Sequence, residues 1–148
     1  MLSVSTLQPH ESQAAKALII AGLTERWGRY DPTHNPDLVD FPNSYRDGQI
    51  RVARQGVTIV GVGILIPFRQ NTAQIVRMST AIEYRRQGVG RAILHELIRL
   101  AANSGFKELM LETTSTWDSA VAFYEASGFR KTHVVANDTY FSLCLQEA

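Results

Sequence analysis

Residues 84–92 read Tyr84-Arg85-Arg86-Gln87-Gly88-Val89-Gly90-Arg91-Ala92, and the fold turns on what this stretch joins. Upstream, Ala73 to Ala81 is an extended run. Downstream, residues 88–103 put Val89, Ile93, Leu97, Leu100 and Ala101 on one helical face, with Arg91, His95, Arg99 and Asn103 largely opposite. The stretch is therefore a strand-to-helix junction. Glycines at 88 and 90 let a ligand come close to the main chain. The first turn of the helix offers unpaired N–H groups and the positive end of the helix dipole, a ready phosphate site. Arg85, Arg86 and Arg91, with no acid between them, suit the same anion. A tight turn whose glycines only permit close helix–sheet packing would account for the same residues. Two nucleotide signatures fail here: Ile93 stands where a dinucleotide fingerprint needs Gly or Ala, and no Gly-Lys-Ser/Thr follows for a P-loop.

Working outward, residues 2–7 read as a short strand and His10 to Leu23 as a helix punctuated by Gly22 and Gly28. Residues 28–44 hold three prolines and two asparagines with little periodicity, and Asp37-Leu38-Val39 reads as a short helix. Trp27, Tyr30 and Phe41 imply that this segment folds over something, as long functional loops do. Residues 49–54 and 57–66 read as a hairpin turning at Gln55-Gly56. After the central helix, Gly105 is placed as a left-handed cap. Then come a strand at Glu108 to Thr113, a helix at 118–127 capped by Gly128, and strands at 130–135 and 139–145. That order predicts an α/β (α+β) domain built on a single mixed sheet.

The chain has 148 residues and 16.5 kDa, the size of one domain spanning 1–148. Hydrophobic residues make up 45% and charged residues 20%, which excludes intrinsic disorder. Fifteen basic residues, twelve of them arginine, balance fourteen acidic ones to give +1, too little for a dedicated nucleic-acid binder. The single Cys144 excludes an intrachain disulfide, and the four histidines share no metal-ligand spacing with each other or with it, so no metal is expected. Cys144 itself is expected to be buried or beside the active cleft and not a nucleophile. With neither a signal-peptide pattern at Met1 nor a run of about 20 apolar residues, a cytoplasmic protein with no membrane partner is expected.

Arg85-Arg86-Gln87-Gly88-Val89-Gly90 resembles the Gln/Arg-x-x-Gly-x-Gly/Ala element of the Gcn5-related N-acetyltransferase (GNAT) family. Ala120-Val121-Ala122-Phe123-Tyr124-Glu125-Ala126-Ser127-Gly128-Phe129 resembles that family's Ala-x-x-Φ-Tyr-x-x-x-Gly-Phe element, and the helix, strand and loop between the two match as well. The resemblance covers residues 48–145 and implies an acyl-CoA N-acyltransferase fold: a mostly antiparallel sheet of six to seven strands, flanked by about four helices and splayed to admit acetyl-CoA. It further implies that the main chain of Met78, Ser79 and Thr80 bonds the pantetheine arm and acetyl group. The amides across Arg85, Arg86, Gln87, Gly88, Val89, Gly90 and Arg91 would cradle the pyrophosphate. A homodimer, common among such proteins, is compatible with it.

Acyl transfer to an amine needs an uncharged nucleophile, a polarised thioester carbonyl and a stabilised leaving group. A thiol titrates near about 8.5 and a phenol near about 10, so Tyr124 suits protonation of the departing thiolate; core packing beside Phe129 is its other role. Glu112, opposite in facing to Leu109 and Leu111, matches a catalytic glutamate of the related ribosomal-protein alanine acetyltransferases, and would otherwise be a solvated or salt-bridged carboxylate. Glu83 reads as a surface residue, while Glu25 and Asp31 are candidates to recognise a cationic substrate. Trp117 stands where many relatives carry a pantetheine-binding asparagine; covering the pantetheine and lining the acceptor pocket are both open to it, and it is not counted among the cofactor contacts. The expectation is direct transfer to a primary amine in a ternary complex. The aromatic N-terminal segment points to a small-molecule acceptor, with a protein amino group, a non-catalytic acyl-CoA sensor and an unrelated nucleotide-binding domain as alternatives.

Overall fold

The computed structural model describes residues 1–145. Strand β1 (Leu2–Thr6) leads through a turn at Pro9–Glu11 into helix α1 (Ser12–Trp27), followed by short 3-10 turns at Pro36–Leu38 and Asn43–Tyr45. Strands β2 (Gln49–Gln55), β3 (Thr58–Arg69) and β4 (Thr72–Thr80) come next, then a 3-10 turn at Ile82–Tyr84 and helix α2 (Val89–Asn103). Strand β5 (Glu108–Thr114), helix α3 (Asp118–Ala126) and strands β6 (Arg130–Val135) and β7 (Asp138–Cys144) complete the described chain. The strands form one seven-stranded sheet in the order β1-β2-β3-β4-β5-β7-β6. The β1–β2, β2–β3, β5–β7 and β6–β7 pairs are antiparallel and β4–β5 is parallel, giving the expected mixed sheet. Among the described residues three α-helices and four 3-10 turns accompany it, slightly fewer α-helices than the expected four or so but consistent with that fold.

Two boundaries move for physical reasons. Helix α1 runs through Gly22, which lies over β4: a Cβ there would make an ordinary contact, 3.6 Å from Ser79 Oγ. The helix ends instead at Gly28, whose φ of +82 and N–H bond of 2.8 Å to Thr24 O make the left-handed cap. The β2–β3 turn consists of Gly56 and Val57, one residue later than the sequence suggested, with Gly56 at φ +62.

The chain packs as two units, Met1–Ile66 with Val76–Leu97, and Pro67–Ile75 with the chain from Ile98 onward. In the first, Ala15, Ile19, Leu38, Val52 and Val62 form a fully buried cluster. Tyr30 and Phe41 pack against it, so the proline-rich segment does fold onto something; Trp27, 59% exposed, stays outside. Helix α2 lies close on β3 because the strand carries glycines there. A Cβ on Gly61 would stand 2.6 Å from Ile93 and Val89, and one on Gly63 2.7 Å from Ile93 and Met78. In the second unit, Leu109, Leu111 and Phe141 are buried from β5 and β7, and α3 contributes Tyr124 beside Phe141, at 6.0 Å between ring centroids. Within this unit the parallel β4–β5 ladder lasts three residues, Thr72 to Gln74 against Glu108 to Met110, though both strands run further.

Candidate active site

The first unit holds the anion-binding candidates. After the 3-10 turn at Ile82–Tyr84, Arg86 (φ +62) and Gly88 (φ +83) are both left-handed, and α2 begins with Ala92 N–H donating to Gly88 O at 3.0 Å. Amides of Val89, Gly90 and Arg91 precede that bond, so helix geometry provides them no partner within α2. The first turn carries no acid, and Arg86 and Arg91 are exposed. Left-handed residues at a helix mouth turn successive N–H groups to a common side, a concave anion cradle. Val89 divides its roles, with its amide in the helix mouth and its side chain buried in the core. Gln87 is used locally, its Nε2 donating to Glu83 O at 3.2 Å.

Arg85 departs from the simple picture of three unopposed arginines. Glu25 of α1 accepts its fork at 2.8 and 2.5 Å, and Arg85's hydrogen bond, ahead of the nearby positive charges, holds that carboxyl below its ordinary range. Glu25 is thus a brace on the loop, and Asp31 is occupied in a turn with Thr33 at 2.9 and 2.7 Å. Both carboxylates suggested for a cationic substrate therefore already hold partners of their own. Glu83 is exposed, as expected.

Met78, Ser79 and Thr80 end β4, half-buried, and Ala81 N–H ties the strand end to Val60 O at 2.8 Å. Just before them Arg77 adopts φ +55 inside a strand. Its Nε and Nη2 donate to Asp37 at 2.9 and 2.7 Å, and Nη2 also reaches Asn35 Oδ1 at 3.0 Å. Tyr45 donates its hydroxyl to the same Asp37 carboxylate. Burial alone would raise Asp37, but the Arg77 and Tyr45 bonds outweigh it and keep the carboxyl below its usual range. Burial and the bond to Asp37 push the Tyr45 phenol up to about 12. Sequence reasoning missed this network; Arg77 lies 40 residues from Asp37 and only the fold joins them.

The second unit holds the proton-transfer candidates, on opposite faces of β5 and β7. Tyr124 is 8% exposed and sits in an aromatic cluster, with centroids 5.1 Å from Phe123 and 5.9 Å from Phe129. This places it on the Leu111–Phe141 face. Glu112 lies on the other face, exposed, directly across from Tyr140 of β7. Tyr140 hydrogen-bonds Glu112, and that bond, then burial, then the charges of Glu112 and Asp138, raise the phenol above its ordinary value. His133 of β6 stacks on Tyr140 at 4.5 Å and 9°. Tyr140 and His133 were not singled out from sequence, although Tyr140's alternation with Phe141 puts it on Glu112's side of the sheet.

The remaining candidates lie at the ends of α3 and β7. Trp117 carries the carbonyl that accepts from Ala120 and Val121 at 3.1 Å, opening α3. Cys144 is exposed at the end of β7, which removes burial from the two expected placements, buried or beside the active cleft. Among the described residues, no three His, Cys, Asp or Glu side chains gather as metal ligands, and no helix is long and apolar enough to cross a membrane.

Comparison with known proteins places this geometry in context. Residues 15–129 match the acetyltransferase (GNAT) family. The rat N-acetyltransferase family 8 member 3 is 30% identical over 104 residues, 65% of this chain and 46% of the relative. Human N-acetyltransferase 8 is 30% identical over 115 residues, 72% of this chain and 51% of the relative. The chain thus spans about half the length of these curated relatives. Among solved structures, a GNAT-family acetyltransferase from Staphylococcus aureus superposes with a TM-score of 0.87 at 20% identity, covering 99% of this chain and 100% of that one. The PaiA N-acetyltransferase of Thermoplasma acidophilum, solved with coenzyme A, superposes at 0.81 and 15% identity, covering 97% and 99%.

Proposed function

Because the chain belongs to the acetyltransferase (GNAT) family, we propose that it is an N-acetyltransferase that moves the acetyl group of acetyl-CoA onto a primary amine, with both substrates bound together. The observation that carries this is the loop at residues 85–91. Two left-handed residues stand at an α2 mouth without acids, at positions where a pyrophosphate would meet main-chain N–H groups and the Arg86 and Arg91 side chains. The absence of a Cβ at Gly88, with nothing within 4 Å of where one would stand, leaves room for such a group. Met78, Ser79 and Thr80 would hold the pantetheine arm and acetyl group through their main chain.

Acetyl-CoA supplies the activated acyl group; the chain supplies positioning and two proton sites. Glu112 takes the proton that an ammonium must lose before it can attack. Tyr124 holds the proton that the departing thiolate needs. The acceptor we propose is a small molecule, supported by Tyr30 and Phe41 closing the segment after α1 onto the core.

The test is thiol release from acetyl-CoA across a panel of small amines, polyamines, amino acids and peptides. Acceptor-dependent release with small amines is the expected result. Release only with peptides would overturn the choice of acceptor. Coenzyme A binding with no release from any amine would make the chain a non-catalytic acyl-CoA-binding module.

A further inference from the structure

We propose that Arg77 is a positioning residue, which through Asp37 and Tyr45 fixes both the turn in β4 ahead of Met78 and the segment Asn35–Tyr45 against it. This rests on the proposed role of Met78, Ser79 and Thr80 in holding the acyl thioester.

Arg77 sits at φ +55 in the middle of a strand, a conformation that glycine adopts freely and other side chains do not. The other left-handed non-glycine residues lie outside strands: Asn71 and Ala136 are in hairpin turns and Arg86 is in the loop before α2. Among the described residues Arg77 alone is a left-handed non-glycine residue inside a strand, and its side chain supplies the compensation. The guanidinium forks onto Asp37 at 2.9 and 2.7 Å and reaches Asn35 at 3.0 Å. Asp37 in turn accepts from Tyr45, and Ser44 donates to the Asp37 carbonyl. One side chain therefore grips the two 3-10 turns, Pro36–Leu38 and Asn43–Tyr45. The pair is largely shielded, with side-chain exposures of 20% and 24%. A planar fork fixes the direction of its own backbone in a way a lysine ammonium does not. The direction of the peptide leaving Arg77 determines where the Met78 N–H and the main chain after it point.

A misdirected amide at the reacting carbonyl should lower turnover more than it weakens cofactor affinity, because much of coenzyme A is held elsewhere. The variants are Arg77→Lys, which keeps the charge and loses the fork, and Tyr45→Phe, which keeps both charges and removes one donor. Coenzyme A affinity, kcat and KM are measured well below each variant's melting temperature. Expected are a fall in kcat on the order of 10-fold or more for Arg77→Lys and a smaller fall for Tyr45→Phe, with coenzyme A affinity within about 3-fold of the parent. A tether with only a structural role would lower the melting temperature and leave kcat unchanged, which would overturn the proposal. Affinity and kcat falling together would overturn it as well. Should Arg77→Lys fail to fold, Tyr45→Phe decides by the same criterion. A parent protein that neither binds coenzyme A nor releases thiol removes the proposed function and this inference together. An active parent with unaltered variants removes only the inference.

Discussion

Tyr124 has one observed role and one proposed role. Its ring is packed among Phe123, Phe129 and Phe141, and its hydroxyl is the proposed proton donor. The two roles separate in Tyr124→Phe, which preserves the packed ring. Turnover should fall on the order of 100-fold while stability changes by less than about 1 kcal/mol, read by steady-state kinetics and chemical denaturation. Unchanged turnover would remove Tyr124 from the chemistry. Across the sheet, Glu112 raises Tyr140 because the neutral phenol can donate to the carboxylate whereas a phenolate beside it would be repelled. Glu112→Gln removes the charge, so one tyrosine should ionise at lower pH in an ultraviolet titration. An identical titration curve would show that the two residues do not interact in solution. Both residue types could be picked from alternation along a strand and from a motif. Their environments could not, because Tyr140 and Glu112 become neighbours only through the β5–β7 register.

At the scale of elements, α2 shows why so much of the order of strands and helices could be read directly. Its apolar spacing, the glycine at its start and Gly105 after its end all state the same boundaries, and the helix runs Val89–Asn103. What stayed hidden were contacts that local pattern does not encode. Glu25 lies 60 residues from Arg85, yet it engages one of the three arginines that looked free for phosphate. Gly22 reads as a helix stop and instead lies inside α1, over Ser79. The same distinction separates two glycine substitutions. Gly63→Ala drives a methyl to 2.7 Å from Ile93 and Met78 and should destabilise by about 1–3 kcal/mol through overpacking. At Gly88 the space is open but φ is +83, so Gly88→Ala should cost about 1 kcal/mol as backbone strain and also weaken coenzyme A binding. Thermal melts with and without coenzyme A distinguish them: the gap between the two melts should shrink at Gly88 and persist at Gly63.

For the whole molecule, the net charge of +1 conceals a set of specific pairs, and these set its response to acid. Glu11, 8% exposed, receives the Arg54 fork at 2.6 and 2.5 Å and the Gln8 amide at 2.9 Å, joining the turn before α1 to β2. The Arg54 hydrogen bond is the largest influence and brings Glu11 from 4.5 down to about 2, against the opposing effect of burial. Asp37 and Glu25 are also lowered. A carboxyl whose folded pKa lies below its unfolded one stabilises the fold fully above the unfolded value and loses that contribution as pH falls toward the folded value. Stability should therefore be flat above about pH 5 and decline between about 4.5 and 2, with Glu11 contributing on the order of 2 kcal/mol of the loss. Urea denaturation at pH 7 and pH 3 checks it. Glu11→Gln should be less stable than the parent at pH 7, and the difference between the two should narrow at pH 3, since the parent's carboxyl is by then losing its advantage. β3, β4 and α2 each run through both packing units, so we propose that the chain is one domain and that each of these losses appears in a single unfolding transition. A parent and variant that lose stability in parallel down to pH 2 would show that the Glu11–Arg54 pair is not what acid breaks.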